Sequence, residues 1–214
     1  MVNYLSEFSF QKVIGRLEAN NNPCQDQKVG VLEKGVFRSD EARTDIDYLN
    51  NNTINPILIN PIVIILESPH KKEFINNAPQ GPAQGPTGRL FEIKFTALMK
   101  QSHLHDNLLR VSSDVVFVNA VQFQCSLGKS LNNTEAKKTK ENNWIKCFEA
   151  GGSEDLVYRI TAINPIAILN LCTRGNMGLQ RRVDCCLKAS TLRSIDYTCG
   201  LHPSTWNFSF AHIN

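Results

Sequence analysis

The sequence predicts an α/β fold: a three-layer α/β/α sandwich around a central, mainly parallel, four-stranded sheet. Three observations lead to this prediction. Short runs rich in Ile, Val and Leu alternate along the chain with stretches of helical periodicity. The runs are continuously apolar, which is typical of strands that are covered on both faces. The length of 214 residues and the apolar content of 42% suit one globular domain, predicted over residues 1–214.

The N-terminal half contributes the first strand and two helices. An amphipathic helix is predicted over residues 4–17, and residues 18–56 are predicted as loops and short pieces because Asn, Asp and Gly are frequent there. The first buried strand is Ile62–Leu66. The Gly/Pro-rich stretch "NNAPQGPAQGPTGRL" then forms a loop, and a helix with apolar residues on one face begins at Gly88.

The C-terminal half repeats the alternation of strand and helix. The predicted strands are the three apolar runs in "DVVFVNAVQF", "PIAILNL" and "RSIDYTC". A helix is predicted in "TEAKKTKENNWIKCFEA", with its lysines on a solvated face. Ser153 is expected to cap the next helix, which ends at Asn164, and a last helix covers residues 176–189.

Composition narrows the classes of function. A net charge of +3 permits a nucleic-acid partner without arguing for one. The 7 cysteines form no C-x-x-C pair, so we expect no common zinc site. No leader segment and no apolar run of the roughly 20 residues that span a bilayer is evident. We therefore expect a cytoplasmic protein with no membrane association and no obligate protein partner.

Polar side chains follow each predicted strand. In chain order they are Glu67-Ser68-Pro69-His70, Asn119, Thr173-Arg174-Gly175 and His202-Pro203-Ser204. The carboxyl ends of parallel strands meet at one edge of a sheet, where ligands bind in open α/β folds. The sequence therefore predicts a binding or catalytic site at this edge.

Three of these stretches resemble the motifs of the uracil-DNA glycosylase superfamily, in that family's order. "LESPH" is similar to G-E-A-P-G or G-Q-D-P-Y-H, "VVFVNAV" to L-L-L-N-T-V-L, and "LHPSTW" to H-P-S-P-L-S. "GPTGRLF" is similar to G-x-x-G-x-L-L, and "NPIAILNL" to the strand between the second and third motifs. The resemblance covers about residues 61–210 and implies a uracil-DNA glycosylase-like fold.

The resemblance implies a cofactor-free, monofunctional DNA glycosylase that flips a nucleotide out of DNA and cleaves its N-glycosidic bond. His202 would face O2 of the leaving base, and Asn119 would contact the base edge. Glu67, in register with the Glu of G-E-A-P-G, would position water or stabilise the cationic sugar; Glu73 is the fallback.

Other residues are assigned to the substrate by the same resemblance. His70 stands where the family has the tyrosine that excludes thymine, and Phe91 is assigned to the base. Four residues are predicted to contact DNA: Ser68, Arg89, Ser204 and Trp206, the last as a wedge in the vacated stack.

Departures from the motifs leave alternatives open. Ser68 replaces the carboxylate of G-Q-D-P-Y-H, and the loop before "GPTG" lacks the family's stacking Phe. The missing Phe and the presence of His70 in place of the family's tyrosine favour a bulkier modified pyrimidine, such as glucosylated hydroxymethylcytosine of phage DNA, over uracil, in repair or antiviral defence. A non-catalytic module that binds modified bases and a hydrolase of free nucleosides are the alternatives. Glu67 could also form a structural ion pair with Lys71 or Arg89.

Overall fold

The computed structural model describes residues 22–49, 53–76, 78–101, 108, 110–126, 130–190 and 195–200. The helix predicted over residues 4–17 lies outside these ranges. So do three of the predicted site residues: His202, Ser204 and Trp206.

The central sheet is mixed and mainly parallel. The strands are β1 (Gln27–Glu33), β2 (Val36–Asp45), β3 (Asp47–Tyr48), β4 (Ile54–Asn55), β5 (Ile62–Leu66), β6 (Phe74–Ile75), β7 (Ala78–Pro79), β8 (Ser113–Asn119), β9 (Ala167–Asn170) and β10 (Asp196–Cys199). Six of them form the central sheet in the order β10-β9-β5-β8-β1-β2. β10, β9, β5 and β8 run parallel, whereas β1 is antiparallel to β8 and β2 to β1. The four predicted strands are therefore confirmed, but the predicted strand count is wrong.

The two additional strands come from the segment that was predicted as loops. A two-residue turn, Lys34-Gly35, joins β1 to β2, and both of its residues have positive φ, at 49° and 72°. Such a turn matches the twist of a tight hairpin. β2 lies at the edge of the sheet, and Phe37 is its only buried residue. Because β2 is mostly polar and solvent-facing, it carries no apolar pattern that would identify it from the sequence.

The described part of the chain has four α-helices: α1 (Pro86–Gln101), α2 (Thr134–Cys147), α3 (Ser153–Ile163) and α4 (Leu179–Ala189). A short 3₁₀ helix covers Lys71–Glu73, and a π-helical turn, Phe148–Gly152, joins α2 to α3. The side chain of Asn133 caps α2 by accepting a 2.7 Å hydrogen bond from the amide of Ala136. α3 ends at Asn164, as predicted, and Asn164 has the left-handed conformation. The predicted cap at Ser153 is wrong, because its hydroxyl is 2.7 Å from the Glu154 carboxylate and caps no amide of α3.

Alternate residues of the central strands belong to two separate core clusters. Val63 and Ile65 of β5 pack in one cluster with side chains of α2, α3 and α4. Ile62 and Ile64 pack in the other with side chains of α1. All of β5 is consequently buried, which explains its continuously apolar sequence. Within the described ranges, none of the helices combines the length and hydrophobicity that crossing a bilayer requires.

Candidate functional site

A cavity of about 800 Å³ lies beyond the carboxyl ends of β5, β8 and β9. Its wall includes four of the predicted site residues: Glu67, Ser68, His70 and Asn119. The start of α1, one face of α2 and residues 173–175 complete it. The fold thus brings the first two predicted motifs together at the expected edge of the sheet.

Glu67 follows β5 directly, and its main chain is held from two sides. Its carbonyl accepts a 2.9 Å hydrogen bond from Nε1 of Trp144 and a 3.1 Å bond from the amide of Val121. Its side chain is only 4% exposed, and Oε1 lies 2.6 Å from Nζ of Lys140. The ionic partner of Glu67 is therefore Lys140, and neither of the two that the sequence suggested.

The charge state of Glu67 is set by opposing effects. Burial raises the pKa of the Glu67 carboxyl above its ordinary value, and the nearby Glu141 adds to this rise. The ammonium group of Lys140, 2.6 Å from Oε1, lowers the pKa by charge attraction. Lys140 is thus the group that opposes the loss of the negative charge.

Asn119 ends β8 and lines the cavity, and the amide nitrogen of its side chain is buried. Its main-chain carbonyl accepts a 3.0 Å hydrogen bond from the guanidinium of Arg159. Its side chain is 1% exposed, yet Nδ2 has no hydrogen-bond partner among the residues that the structure describes. A buried amide without a partner is costly, so this donor suits an acceptor group of a ligand.

The turn after β5 adds two more polar groups. The hydroxyl of Ser68 is buried and, like Nδ2 of Asn119, has no partner within the described ranges. Nδ1 of His70 accepts a 3.2 Å hydrogen bond from the amide of Lys72. In the neutral ring the proton is therefore on Nε2. Partial burial, followed by the charges of Lys140, Lys72 and Lys71, lowers the pKa of His70, which favours this neutral form.

Glu73 links this turn to the Gly/Pro loop. Its Oε1 accepts a 2.9 Å hydrogen bond from the amide of Ala83, and Oε2 a 3.2 Å bond from the amide of His70. Burial raises the pKa of Glu73 to about 7. Glu73 lines the cavity, but both oxygens bind backbone amides, so we assign it a structural role.

Two side chains of the β1–β2 hairpin donate hydrogen bonds to main-chain carbonyls of the Gly/Pro loop. Nε2 of Gln27 donates a 3.1 Å hydrogen bond to the carbonyl of Gln80, and Arg43 donates a 2.6 Å bond to that of Pro82. Gly81 has a φ of +104°, and a Cβ there would stand 1.9 Å from Oε1 of Gln27. The loop follows the hairpin too closely for a larger residue at this position.

Lys140 is the residue of this site that sequence reasoning missed. It was grouped with Lys137, Lys138 and Lys146 as part of a solvated helix face, but Lys137 and Lys140 both line the cavity. A signal was present in the spacing, because Lys140 precedes the aromatic Trp144 by one helical turn. Lys140 was predicted on the solvated face because it is a lysine, although its spacing from Trp144 indicates the buried face.

Two predicted site residues lie elsewhere. Phe91 is fully buried in the core, with its ring stacked on that of Phe95 at 4.2 Å and edge-on to that of Phe117. The structure therefore corrects its assignment to the base. Arg89 is exposed on α1 and does not line the cavity, and its predicted contact with DNA stays a prediction.

No protein-family model matches the sequence, and no curated protein matches it significantly. The resemblance to the uracil-DNA glycosylase superfamily therefore depends on the three motifs. Within the described ranges, no group of three or more His, Cys, Asp and Glu side chains is arranged to hold a metal ion.

Proposed function

We propose that the protein is a monofunctional DNA glycosylase that flips out and hydrolytically excises uracil or a bulkier modified pyrimidine, leaving an abasic site. It acts without a cofactor, in the cytoplasm, in DNA repair or antiviral defence. The three-layer α/β/α arrangement is part of this proposal. The observation that carries it is the convergence of Glu67 and Asn119, from separate strand ends, on one cavity.

The proposed reaction replaces the C1′–N bond of the flipped nucleotide by a C1′–O bond to water. The base leaves with the electron pair of the broken bond, and the sugar passes through a cationic state. The attacking water loses one proton, and the departed base anion takes up one proton. The carboxylate of Glu67 stabilises that cation and orients the water. Nδ2 of Asn119 donates to an acceptor on the base edge, and His202, which the structure does not describe, stabilises the negative charge on O2 of the base.

The size of the cavity supports a base larger than uracil. At about 800 Å³ it falls in the upper part of the range of roughly 300–1,000 Å³ that is usual for pockets of drug-sized ligands. Polar groups of Glu141, Thr173 and Arg174 line it as well. These features favour a modified pyrimidine with a polar substituent, of which glucosylated hydroxymethylcytosine is one example.

One observation favours a second candidate, a module that binds a modified base without chemistry. The carboxylate of Glu67 is engaged by Lys140 at 2.6 Å, and Ser68 occupies the position of the family's other acid. Such a module would bind modified DNA and leave every N-glycosidic bond intact.

The test is to incubate the purified protein with DNAs that carry uracil or different pyrimidine modifications and to identify any released base by mass spectrometry. We expect one base to be released with matching abasic sites, and we expect Glu67→Gln to release at least 100-fold less. Glu149→Gln, an exposed change remote from the cavity, is the control. Tight binding with no released base from any DNA would select the binding module.

A further inference from the structure

We propose that Lys140 is a positioning residue: it keeps Glu67 ionised and holds its carboxylate in place at the cavity wall. This inference rests on the proposed function for its catalytic consequence. Its physical content, the charge state of Glu67, can be measured without any DNA.

The geometry shows that α2 contacts Glu67 at two points. Nε1 of Trp144 binds the main-chain carbonyl at 2.9 Å, and Nζ of Lys140 contacts Oε1 at 2.6 Å. Because Trp144 and Lys140 are four residues apart, both side chains project from the same face of α2. One helix therefore fixes the backbone and the carboxylate of Glu67 together.

The ion pair of Glu67 with Lys140 affects the charge state of Glu67 because both side chains are largely buried. The side chains of Glu67 and Lys140 are only 4% and 19% exposed, so the pair is poorly hydrated. A carboxylate in such surroundings becomes neutral unless a cation compensates for the lost hydration. A neutral Glu67 could neither stabilise a cationic sugar nor polarise water.

The other groups around Glu67 do not supply this compensation. On α2, Glu141 raises the pKa of Glu67. The turn after β5 contributes the buried carboxyl of Glu73 and the ring of His70, whose lowered pKa favours the neutral form. The segments after β8 and β9 contribute Cys125 and Cys172, whose raised pKa values keep them uncharged.

The other cations of the cavity wall are Lys72, Lys137 and Arg174. Of the described basic side chains, the one in contact with Glu67 is Lys140.

The direct test is a pH titration of carboxyl ¹³C signals by NMR, with the Glu67 signal assigned by its loss in Glu67→Gln. We expect Lys140→Met to move the Glu67 midpoint upward by at least about one pH unit. Lys140→Arg keeps a cation and should retain most of the wild-type midpoint. Lys138→Met, which removes the same charge from an exposed position of α2, is the control. An unchanged Glu67 midpoint in Lys140→Met would overturn the inference.

The second readout is the pH profile of base release. We expect the acidic limb of kcat/KM to move upward with the Glu67 midpoint in Lys140→Met, and to stay near the wild-type position in Lys140→Arg. A limb that stays in place while activity falls equally at all pH values would contradict the positioning role. If Lys140→Met unfolds, Lys140→Gln removes the charge and keeps a polar side chain. A wild-type protein without activity on any DNA would refute the proposed function, whereas the NMR titration would still decide the role of Lys140.

Discussion

The guanidinium of Arg159 donates a 3.0 Å hydrogen bond to the main-chain carbonyl of Asn119, at the strand end that lines the cavity. The same guanidinium lies 2.6 Å from the carboxylate of Asp26, which is fully buried, and the hydroxyl of Tyr48 donates a 2.6 Å bond to that carboxylate. A buried ionic network thus fixes the main chain of Asn119, while Nδ2 of its side chain has no hydrogen-bond partner in the described part of the chain.

Replacing Arg159 by Met should destabilise the protein strongly. It removes the cation that compensates the fully buried Asp26, and breaking a buried ion pair in this way typically costs about 3–5 kcal/mol in the free energy of unfolding. Urea denaturation measures this change. Arg182→Met is the matched control, because Arg182 pairs with Glu149 at 2.6 Å between side chains that are 40% and 60% exposed. Such a surface pair contributes about 0–1 kcal/mol. Equal losses in the two variants would contradict the structural role of Arg159.

Replacing Asn119 by Ala should reduce activity with little loss of stability. The substitution removes a donor that has no partner in the described part of the chain, so folding loses no hydrogen bond from Nδ2. We expect base release to fall roughly 100-fold or more, as for other lost transition-state donors. Thermal unfolding and base release are the two measurements.

Asn170→Ala is the control for that experiment. Asn170 is also a buried asparagine at a strand end, but its Nδ2 donates to Asp184 at 2.6 Å and its Oδ1 accepts from the amide of Cys172 at 3.1 Å. This variant should lose stability by more than about 1 kcal/mol. An Asn119→Ala protein as unstable as Asn170→Ala would show that the Asn119 side chain is structural.

Glu73 should make folding more favourable as the pH falls. Its pKa is raised from 4.5 to about 7 in the folded protein. Between these values the folded protein binds more protons than the unfolded chain, so the free energy of unfolding decreases as the pH rises. The full effect is on the order of 3 kcal/mol.

Glu73→Gln isolates this effect, because the amide cannot ionise. The free energy of unfolding of the variant minus that of the wild type should increase from pH 4.5 to about 7, as measured by urea denaturation at several pH values. Glu135→Gln, at an exposed position of α2, controls for removal of a charge. A constant difference across this range would refute the prediction.

His70 should be neutral at pH 7 and protonated on Nε2. The amide of Lys72 occupies Nδ1, and burial together with the neighbouring lysines lowers the pKa below 6.5. Nitrogen-15 NMR of the imidazole ring distinguishes the two tautomers and gives the midpoint. A midpoint above 6.5, or a proton on Nδ1, would show that the turn after β5 has a different hydrogen-bond pattern.

The parallel part of the fold was predictable because burial on both faces leaves a continuous apolar run. Ile62–Leu66 is fully buried, and its sequence contains no polar residue. The edge strand β2 could not be found in this way, since solvent on its outer side permits charged residues at nearly every position. The polar residues at the strand ends were predicted because they directly follow the predicted strands in the sequence.

The partners of those residues depended on tertiary contacts that spacing does not encode. The ion pair of Glu67 with Lys140 joins a strand end to a helix far along the chain, and the sequence offered Lys71 and Arg89 as nearer candidates. Phe91 was assigned to the base, yet the rings of Phe37 and Phe95 enclose it in the core. Apolar periodicity identifies the buried face of a helix without showing which neighbours cover it.

The close fit of Gly81 against Gln27 ties the Gly/Pro loop, which lines the cavity at Gly85, to the N-terminal hairpin. Substitutions that reshape the Gly/Pro loop for another substrate would also change its contacts with β1 and β2. Directed evolution of new specificities should therefore yield compensating pairs of mutations, one in the loop and one in the hairpin.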